Sequence, residues 1–413
     1  MQPIPHRALE QAARLLAGKE ADPGGQRLLA WLGWDAAMPP ERRTDRLALL
    51  RIACACTRVF GLLHPLRPGL CTVGAELQPA VPAEDPAWGR FAVSGVGLDP
   101  GAAFAACMGE AAERLAQLDI PARRTGDGGE APDDAAVHEW PRGQTHRLPR
   151  DLLYRRPSHR RRLAAPAPLS IGCAAGPTEA AARLSALLEV LERDAVALWW
   201  RGGRVARPIE SGHEAARLAE QTLLRLGGAT RRVRLLDISQ DKAIPVIAAL
   251  SFDASGEGFC CGTAARRGAA EAARAAVLEM AQNELAVLLA QAKRAAEGEA
   301  ALNARDRIHL CRHARIRAAD CLPPASGLAP SAGAWVGAAP EQAFAGIAGL
   351  LARQGHAVWL HAHDHDRVGV PVVRVIVPGL AAEPSDDLPP RLAHAIAETG
   401  GGPGYRLRVP LFS

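Results

Sequence analysis

The segment Leu188-Glu189-Val-Leu-Glu192-Arg193 follows the small-residue segment Ser170-Ile-Gly-Cys-Ala-Ala-Gly176 and carries a pattern that recurs along the chain. Apolar residues at helical spacing predict one amphipathic helix from Thr178 to Trp200. Residues three apart lie on one face of a helix, so Glu189 and Glu192 present two carboxylates side by side. Adjacent carboxylates repel each other unless a cation bridges them, and either the following arginine or a divalent metal ion can do so.

The same pattern recurs in two other helices. Glu110-Ala-Ala-Glu113-Arg114 lies 79 residues earlier (189 − 110 = 79), in a helix predicted from about Ala102 to Leu118. A third helix, predicted from about Gly268 to Ala296, contains Glu279-Met-Ala-Gln282, with glutamine in place of the second glutamate. Each helix follows a segment of small residues that is interpreted as a turn, namely Ser94–Gly101, Ser170–Gly176 and Cys260–Ala264.

A single Glu-x-x-Glu-Arg motif is more often an ion-pair patch on a helix surface than a binding site. Two observations favour a site here: the motif recurs after a small-residue segment, and apolar residues such as Leu187, Leu188 and Leu191 surround it. We therefore expect the glutamates to face a cleft. Paired carboxylates from two helices suit Mg²⁺, which binds one or two carboxylates together with substrate phosphates. Without a cation, several facing carboxylates would be too costly to bury.

The charge composition excludes several ways of binding nucleotides and nucleic acids. The 413 residues carry 49 Lys+Arg and 44 Asp+Glu, which gives a formal net charge of +5, and only three are lysines. None of Lys19, Lys242 and Lys293 lies in a Gly-Lys-Ser/Thr sequence, so a P-loop is excluded. Gly95-Val-Gly97 is followed by Pro100 where a dinucleotide fingerprint needs glycine. The small net charge and 4% aromatic content argue against nucleic-acid binding.

The sequence shows no signal for export or membrane insertion. The first residues, Met1-Gln-Pro-Ile-Pro-His-Arg, lack an apolar segment, and no apolar run reaches membrane-spanning length. The nine scattered cysteines are expected to be reduced thiols. We therefore expect a cytoplasmic protein that does not bind membranes.

The chain divides by pattern into two regions. Residues 1–85 are interpreted as a helical N-terminal region, in which Thr44 caps a helix that continues in phase to Phe60. Residues 86–413 form the second region, with a linker-like insert at about 121–168. The arginine run Arg155–Arg162 in this insert is expected to be a solvated loop rather than an anion site. Helices and strands without strict alternation predict an α/β or α+β fold with mixed β-sheets. The later predicted elements are Glu214–Leu226, Arg232–Ile238, Ile244–Phe252, Pro340–Gln354, Ala357–His361 and Gly369–Val377.

Three other groups of side chains are weaker candidates. His361, His363 and His365 alternate along a predicted strand, where they could bind a transition metal or simply form a polar strand end. A second group suggests zinc, but its spacing fits no standard pattern and chance placement on a helix is preferred: His309, Cys311, His313 and Cys321. Cys107 and Cys173 flank the expected cleft and are interpreted as packing residues rather than nucleophiles.

The ordered set of motifs resembles the YcaO family. The matching segments are Ser94-Gly-x-Gly…Gly109-Glu110-x-x-Glu113-Arg114, Ser170-x-Gly-Cys-Ala-Ala-Gly176-Pro-Thr…Glu189-x-x-Glu192-Arg193-Asp194-Ala195, Gly262…Glu279-x-x-Gln282 and Val370-Pro-Val-Val-Arg-Val-Ile-Val-Pro-Gly-Leu380. The resemblance runs from about Val93 to Leu380. It is closest to the D-protein branch, which acts as a cyclodehydratase on ribosomally made peptides.

This resemblance implies a YcaO-like fold, with mixed β-sheets flanked by helices around a cleft that binds ATP and Mg²⁺ without a P-loop. The residues that it implies as Mg²⁺ ligands are Glu110, Glu113, Glu189 and Glu192. Arg114 and Arg193 would be partners of phosphates or carboxylates. Ser94, Glu279 and Gln282 would complete the ATP pocket.

The chemistry implied by the resemblance is activation of a backbone amide. A Cys, Ser or Thr side chain of the substrate peptide attacks the preceding carbonyl carbon, ATP phosphorylates the resulting oxyanion, and loss of phosphate leaves a thiazoline or oxazoline. The implied partners are a precursor peptide, a leader-binding E1-like protein that residues 1–85 could dock, and a flavin dehydrogenase in the same complex. A homo-oligomer is also expected.

Three positions depart from the pattern of the family. Val96 stands where many relatives have lysine, and Ala181 stands where a glutamate is common, since Glu179 is out of register. The sequence ends Arg-Val-Pro410-Leu-Phe-Ser413, with one proline where the azoline-forming branch has a proline-rich tail. These departures keep two alternatives open, a thioamide- or amidine-forming YcaO enzyme and a non-catalytic scaffold subunit.

Overall fold

The computed structural model describes most of the chain as two compact units. Unit 1 comprises Met1–Leu63, Cys71–Leu187 and Phe344–Pro378, and unit 2 comprises His64–Leu70, Leu188–Ala343 and Gly379–Ser413. The residues described within them are 2–19, 22–35, 37–78, 91–119, 133–163, 170–228, 231–322, 333–364, 368–382 and 388–411.

Unit 1 begins with a four-stranded antiparallel sheet whose strands lie in chain order. Its strands are β1 (Gln2–Ile4), β2 (Arg58–Leu62), β3 (Cys71–Leu77) and β4 (Phe91–Gly97). The helices of this part are α1 (His6–Leu16), α2 (Pro23–Trp31), α3 (Pro40–Ala55) and α4 (Pro100–Ala116). Leu9, Leu50 and Phe104 are at most 1% exposed and belong to the apolar core that joins these helices to the sheet.

A second antiparallel sheet completes unit 1, with the strand order β6-β5-β12-β13-β7. Numbered along the chain, its strands are β5 (Asp134–Trp140), β6 (Thr145–Pro149), β7 (Cys173–Ala175), β12 (Val358–Ala362) and β13 (Val372–Ile376). Helix α10 (Pro340–Arg353) precedes β12 in the sequence. Strand β13 is an inner strand of this sheet, because β12 and β7 pair with its two edges, and its first four residues are buried.

Unit 2 contains a third antiparallel sheet, with the strand order β11-β10-β9-β8. Its strands are β8 (Arg207–Pro208), β9 (Arg232–Asp237), β10 (Val246–Phe252) and β11 (Cys260–Ala265). The remaining helices are α5 (Glu179–Trp200), which contributes to both units, α6 (Glu214–Leu226), α7 (Ala269–Glu297), α8 (Ala304–Arg315), α9 (Ala318–Cys321), α11 (Pro390–Thr399) and α12 (Pro403–Leu407). Small, fully buried alanines such as Ala272, Ala273 and Ala276 allow α7 to pack closely on β11.

The mixed helix and strand content predicted from the sequence is confirmed. Between the described strands all ladders are antiparallel, so the structure selects α+β from the two alternatives. The three motif-bearing helices lie within two residues of their predicted bounds, and α6 has the predicted bounds. Long helices with a sustained apolar stripe are the elements that periodicity specifies best.

The N-terminal region is not wholly helical. Helix α3 begins at Pro40 instead of Thr44, whose hydroxyl lies inside the helix and donates to the Pro40 carbonyl. Phe60 lies in β2, so the helical phase assigned to it was wrong. Strand β3 pairs with β4 over seven residues, from Cys71–Gly97 to Leu77–Phe91, which joins the segments on the two sides of residue 85 in one sheet. Residues 79–90 lie outside the described part of the chain.

The insert at 121–168 is structured where it is described. Residues 120–132 and 164–169 lie outside the described residues. Within 133–163, β5 and β6 form a hairpin at one edge of the second sheet. The expected solvated arginine loop is also wrong for Arg156, which is 4% exposed and donates to Asp119 at 2.9 Å and to Asp133 at 2.9 Å. Aspartates from outside the arginine run compensate the charge of this buried side chain. Because these partners lie in other segments, local composition does not predict the burial.

The three small-residue segments interpreted as turns are largely edge strands. Ser94–Gly97 belongs to β4, Cys173–Ala175 forms β7, and Cys260–Ala264 belongs to β11. Their glycines and alanines remove side-chain bulk where a helix packs closely on the strand. A hypothetical Cβ on Gly95 would lie 2.2 Å from the backbone nitrogen of Cys107 in α4. No helix among the described residues is both long and apolar enough to span a membrane.

Candidate functional site

The first carboxylate cluster lies in unit 1 and consists of Glu110, Glu113 and Arg114 on α4. The helix starts at Pro100, and the Asp99 carboxylate caps it by accepting from the Ala102 N–H at 2.8 Å. Glu110 Oε2 accepts from the Ser94 N–H at 3.2 Å, and its other oxygen lies 3.6 Å from the Arg114 guanidinium.

Glu113 is anchored differently from Glu110, although the two carboxylates are neighbours on the helix. Its Oε1 accepts from the Ala175 N–H on β7 at 2.9 Å. The two glutamates of this motif therefore hold N–H groups of two different edge strands, β4 and β7. Neither interaction uses the whole carboxylate, because a carboxylate offers about four acceptor sites.

The second carboxylate cluster lies in unit 2 and consists of Glu189, Glu192 and Arg193 on α5 with Glu279 on α7. Glu192 is 6% exposed. Its Oε1 accepts from the Thr263 hydroxyl at 2.7 Å and its Oε2 from the Ala265 N–H at 3.1 Å. Glu279 Oε2 accepts from the Thr263 N–H at 3.1 Å, so two helices contribute carboxylates to the same strand, β11.

Opposite charges compensate each other in the second cluster. The Arg193 guanidinium lies 3.8 Å from Glu189 and 4.0 Å from Glu192. Burial alone would lower the pKa of Arg193, but the carboxylates of Glu192, Glu189 and Glu279 raise it overall. Burial, followed by repulsion from Glu192, raises the pKa of Glu279 to about 7. A bound cation would relieve the repulsion between the carboxylates of Glu192 and Glu279.

The two clusters are built on the same plan. In each unit a four-stranded antiparallel meander leads into a long helix, and a glutamate of that helix accepts from an N–H of the last strand sixteen residues earlier, as Ser94–Glu110 and Thr263–Glu279 show. A glycine next to that N–H allows the approach: a hypothetical Cβ on Gly262 would lie 2.2 Å from the backbone nitrogen of Met280. The likeness between Glu110 on α4 and Glu279 on α7 thus corresponds to a repeated structural unit, whereas α5 follows β7, an edge strand of the five-stranded sheet.

Most predicted site residues are brought together within their own units. Ser94, Glu110, Glu113 and Arg114 form the first cluster, and Glu189, Glu192, Arg193 and Glu279 form the second. Gln282 lies one turn after Glu279 on α7 and is half-buried. Sequence reasoning missed Thr263, which lies in the segment Cys260–Ala264 that was interpreted as a turn, and Ala265, which follows that segment.

Two histidines from the other candidate groups, His361 and His309, have hydrogen-bond partners. His361 Nδ1 donates to the Ala136 carbonyl at 2.8 Å, and its Nε2 lies 2.8 Å from the Tyr154 hydroxyl, so both ring nitrogens are engaged. His365 lies outside the described residues. His309 Nδ1 accepts from Arg312 at 2.9 Å within α8. Over the described ranges, no three His, Cys, Asp or Glu side chains form a metal-binding group.

The cysteines near the two motifs are packing residues, as the sequence predicts. Cys107 and Cys173 are 0% and 1% exposed and belong to the apolar core of unit 1. Burial raises the pKa of the Cys107 thiol, and proximity to Glu110 raises it further. A buried thiol with a raised pKa is a poor nucleophile.

Comparison with models of known protein families shows which family the chain belongs to. A family model described as YcaO cyclodehydratase, ATP- and Mg²⁺-binding, matches residues 135–381, which is more than half of the chain. The chain belongs to the YcaO family. ATP and Mg²⁺ are accordingly its cofactors. The matched range contains the whole second cluster, whereas Glu110, Glu113 and Arg114 precede it.

Solved structures with the same fold include other YcaO proteins. A heterocyclase in complex with substrate and cofactor is 18% identical with a TM-score of 0.64, covering 86% of this chain and 55% of its own. This YcaO chain thus spans about half the length of that heterocyclase. YcaO from Methanopyrus kandleri, bound with AMPPCP and Mg²⁺, is 20% identical with a TM-score of 0.55, covering 87% and 98%.

A third structure is a multiprotein assembly. The E. coli microcin synthetase McbBCD complex with pro-MccB17 bound is 12% identical with a TM-score of 0.52, covering 78% of this chain and 87% of that one. At these identities the likeness concerns the fold. A search among curated proteins finds no match.

The donor groups of this YcaO chain fit Mg²⁺ and a nucleotide. Each cluster offers carboxylate oxygens from neighbouring glutamates rather than a closed cage of three or more protein ligands. Mg²⁺ prefers this arrangement, because it takes one or two carboxylates and completes its octahedron with phosphates and water. Arg114 and Arg193 add the cationic groups that phosphate oxygens require.

Proposed function

We propose that this YcaO protein activates backbone amides of a ribosomally synthesised precursor peptide with ATP and Mg²⁺, and converts Cys, Ser or Thr residues to thiazolines or oxazolines. The observation that carries the proposal is the double anchoring of Glu192. Two donors on β11 fix both of its oxygens in a buried setting, next to Glu279 and Arg193. A carboxylate held this firmly is suited to binding a cation in a defined orientation.

The assigned residues would divide the work as follows. The Mg²⁺ ligands would be Glu110, Glu113, Glu189 and Glu192. Bound Mg²⁺ would neutralise charge on the phosphates and make the terminal phosphorus more electrophilic. Arg114 and Arg193 would orient phosphate oxygens or hold the carboxylates apart, while Ser94, Glu279 and Gln282 would complete the nucleotide pocket.

The proposed reaction balances without an oxidant. The side-chain sulfur or oxygen of the substrate bonds to the preceding carbonyl carbon, and its proton leaves to solvent. The carbonyl oxygen takes the terminal phosphoryl group of ATP, and loss of inorganic phosphate with the amide proton leaves the C=N bond of the azoline. The net change in the peptide is the loss of one water. The chain would contribute chiefly by positioning the reactants and stabilising charge.

The proposal includes a multiprotein setting. The similar structures include a heterocyclase in complex with substrate and the McbBCD complex with pro-MccB17 bound. By analogy, we propose a leader-binding partner docked on residues 1–85 and a flavin dehydrogenase that would oxidise the azolines. We also propose that the chain forms a homo-oligomer and that it acts in the cytoplasm.

Phosphate release and precursor mass test the proposal together. Purified protein is incubated with ATP, Mg²⁺, the leader-binding partner and a Cys/Ser/Thr-rich precursor encoded beside its gene. We expect ATP-dependent phosphate release and the loss of one water per modified residue. Glu189→Gln should abolish both, since it removes the charge while keeping the shape.

Glu179→Gln is the matched control. It is the same substitution on the same helix, at a glutamate that is 52% exposed and pairs with Arg183. This variant should match the wild type. Exchange of oxygen for sulfur in the precursor would replace the azoline proposal with thioamide formation. Full activity of Glu189→Gln would refute the assigned site, and no ATP turnover by the wild type would favour the scaffold alternative.

A further inference from the structure

Thr263 holds carboxylates from two different helices. It lies on β11 and is 1% exposed. Its hydroxyl donates to Glu192 Oε1 on α5 at 2.7 Å, and its backbone N–H donates to Glu279 Oε2 on α7 at 3.1 Å. One buried residue therefore fixes the separation of two carboxyl groups that repel each other when both are ionised.

The strand geometry makes the Thr263 hydroxyl the weak point of this anchoring. Glu192 has two anchors on β11, the Thr263 hydroxyl and the Ala265 N–H at 3.1 Å, which come from positions two apart along the strand. The N–H is present whatever side chain occupies position 265. The hydroxyl exists only because residue 263 is a threonine. Without it, Glu192 keeps one anchor and can rotate about it.

The hydrogen bond from this hydroxyl is of the strong kind. An O–H group that donates to a carboxylate at about 2.7 Å is charge-assisted, and burial removes competition from water. A threonine side chain also has few rotamers, so little entropy opposes this bond. The lone pairs of Glu192 that this bond leaves are consequently held in fixed directions.

We propose that Thr263 is a positioning residue for Mg²⁺ and ATP. Its hydroxyl orients Glu192, and its N–H keeps Glu279 at a set distance from that carboxylate. This proposal rests on the assignment of Glu192 as a ligand in the proposed function. It adds a residue outside the Glu-x-x-Glu-Arg motifs and explains why a strand of small residues carries a threonine at this position.

Three variants separate positioning from packing. Thr263→Val keeps the shape and the backbone N–H but removes the hydroxyl. Thr263→Ser keeps the hydroxyl and removes a methyl group. Thr222→Val is the matched control in the same unit, because Thr222 is also 1% exposed and its hydroxyl donates to the Leu218 carbonyl at 2.7 Å, on α6.

The experiment titrates each full-length variant with Mg²⁺ and a non-hydrolysable ATP analogue by calorimetry, and measures steady-state ATP turnover with precursor and partner. Thr263→Val should weaken Mg²⁺-dependent binding of the analogue, and lower kcat/KM, by about tenfold to a hundredfold, as loss of a group that orients a metal ligand does. Thr263→Ser should restore both to within about threefold of wild type. Thr222→Val should change only the midpoint of thermal unfolding.

Each outcome is decisive. Wild-type binding of Mg²⁺ and analogue by Thr263→Val overturns the positioning role, as does Thr263→Ser being equally impaired. If the valine variant does not fold, Thr263→Ala is titrated in the same way and must show the same loss. Failure of the proposed function looks different, because the wild type would then bind the analogue with Mg²⁺ but remove no water from the precursor peptide.

Discussion

Replacing Gly262 by alanine should separate α7 from β11 and disturb the second carboxylate cluster. The added Cβ would lie 2.2 Å from the Met280 nitrogen and 2.3 Å from the Ala276 carbonyl oxygen, whereas ordinary contact begins at 3.4 Å. Both obstacles are backbone atoms, so the helix must retreat by about 1.2 Å (3.4 − 2.2 = 1.2). The Thr263–Glu279 hydrogen bond of 3.1 Å would then exceed 4 Å and break.

The expected cost follows from two effects. Overpacking of a close contact costs about 1–3 kcal/mol. Loss of a hydrogen bond to a charged group costs about 1.5–3 kcal/mol. Gly262→Ala should therefore lower the free energy of unfolding by about 3 kcal/mol or more.

Urea denaturation, followed by far-UV circular dichroism, measures this cost. Gly109→Ala is the control, because Gly109 lies inside α4 and a Cβ there meets nothing within 4 Å. It should raise stability by about 0.5–1 kcal/mol, since alanine is the better helix former. Wild-type stability of Gly262→Ala would refute the close approach of α7 to β11. Destabilisation by Gly109→Ala would show that the reasoning about helix glycines is wrong.

Two further predictions concern unit 2. Burial, followed by the positive charge of Arg312, lowers the pKa of His309 from 6.5 to about 4. The contribution of neutral His309 to the free energy of unfolding is therefore complete above pH 6.5. It is lost as the pH falls towards 4, by about 3 kcal/mol at 1.36 kcal/mol per pKa unit. His309→Asn should therefore flatten the profile of unfolding free energy against pH. Trp200→Phe should lower the free energy of unfolding by about 1 kcal/mol, because the indole N–H donates to the Val409 carbonyl at 2.7 Å. Faster amide exchange at residues 405–411 should accompany this loss. Trp31→Phe, at a tryptophan that is 45% exposed, should change neither the stability nor the exchange. A wild-type pH profile for His309→Asn would contradict the assigned burial of His309. Wild-type amide exchange in Trp200→Phe would contradict the assigned hydrogen bond to Val409.

The helices were predictable from the sequence because their information is local. Helices α5, α6 and α7 carry a sustained apolar stripe, and α6 has the predicted bounds from Glu214 to Leu226. The spacing of three in Glu110/Glu113 and Glu189/Glu192 correctly indicated neighbouring carboxylates on one helix face. Neither feature needs knowledge of distant residues.

The strands at the site were not predictable in the same way. Segments such as Cys260–Ala265 consist of small residues, which are typical of turns but here allow a helix to pack closely on an edge strand. The spacing of the glutamates also did not reveal their different hydrogen-bond partners. Glu110 accepts from an N–H of β4, whereas Glu113 accepts from an N–H of β7, 62 residues further along the chain. Such pairings depend on tertiary contacts, which local patterns do not encode.

The arginine run shows the same limit for charged residues. Composition favoured a solvated loop, yet Arg156 is buried between Asp119 and Asp133. Asp119 also accepts from Arg150, which extends the ion-pair network across the insert. A charged residue becomes buried when partners from other segments satisfy it, and only the folded structure brings those partners together.

Calorimetric titration with Mg²⁺ and a non-hydrolysable ATP analogue tests most directly whether the paired glutamates bind the nucleotide. The wild type should bind the analogue with Mg²⁺ and lose most of this affinity with EDTA. Glu192→Gln should weaken binding at least about tenfold, while Glu179→Gln on the same helix should bind as the wild type does. Unchanged affinity of Glu192→Gln, with Mg²⁺ still required, would contradict the assignment of the second carboxylate cluster.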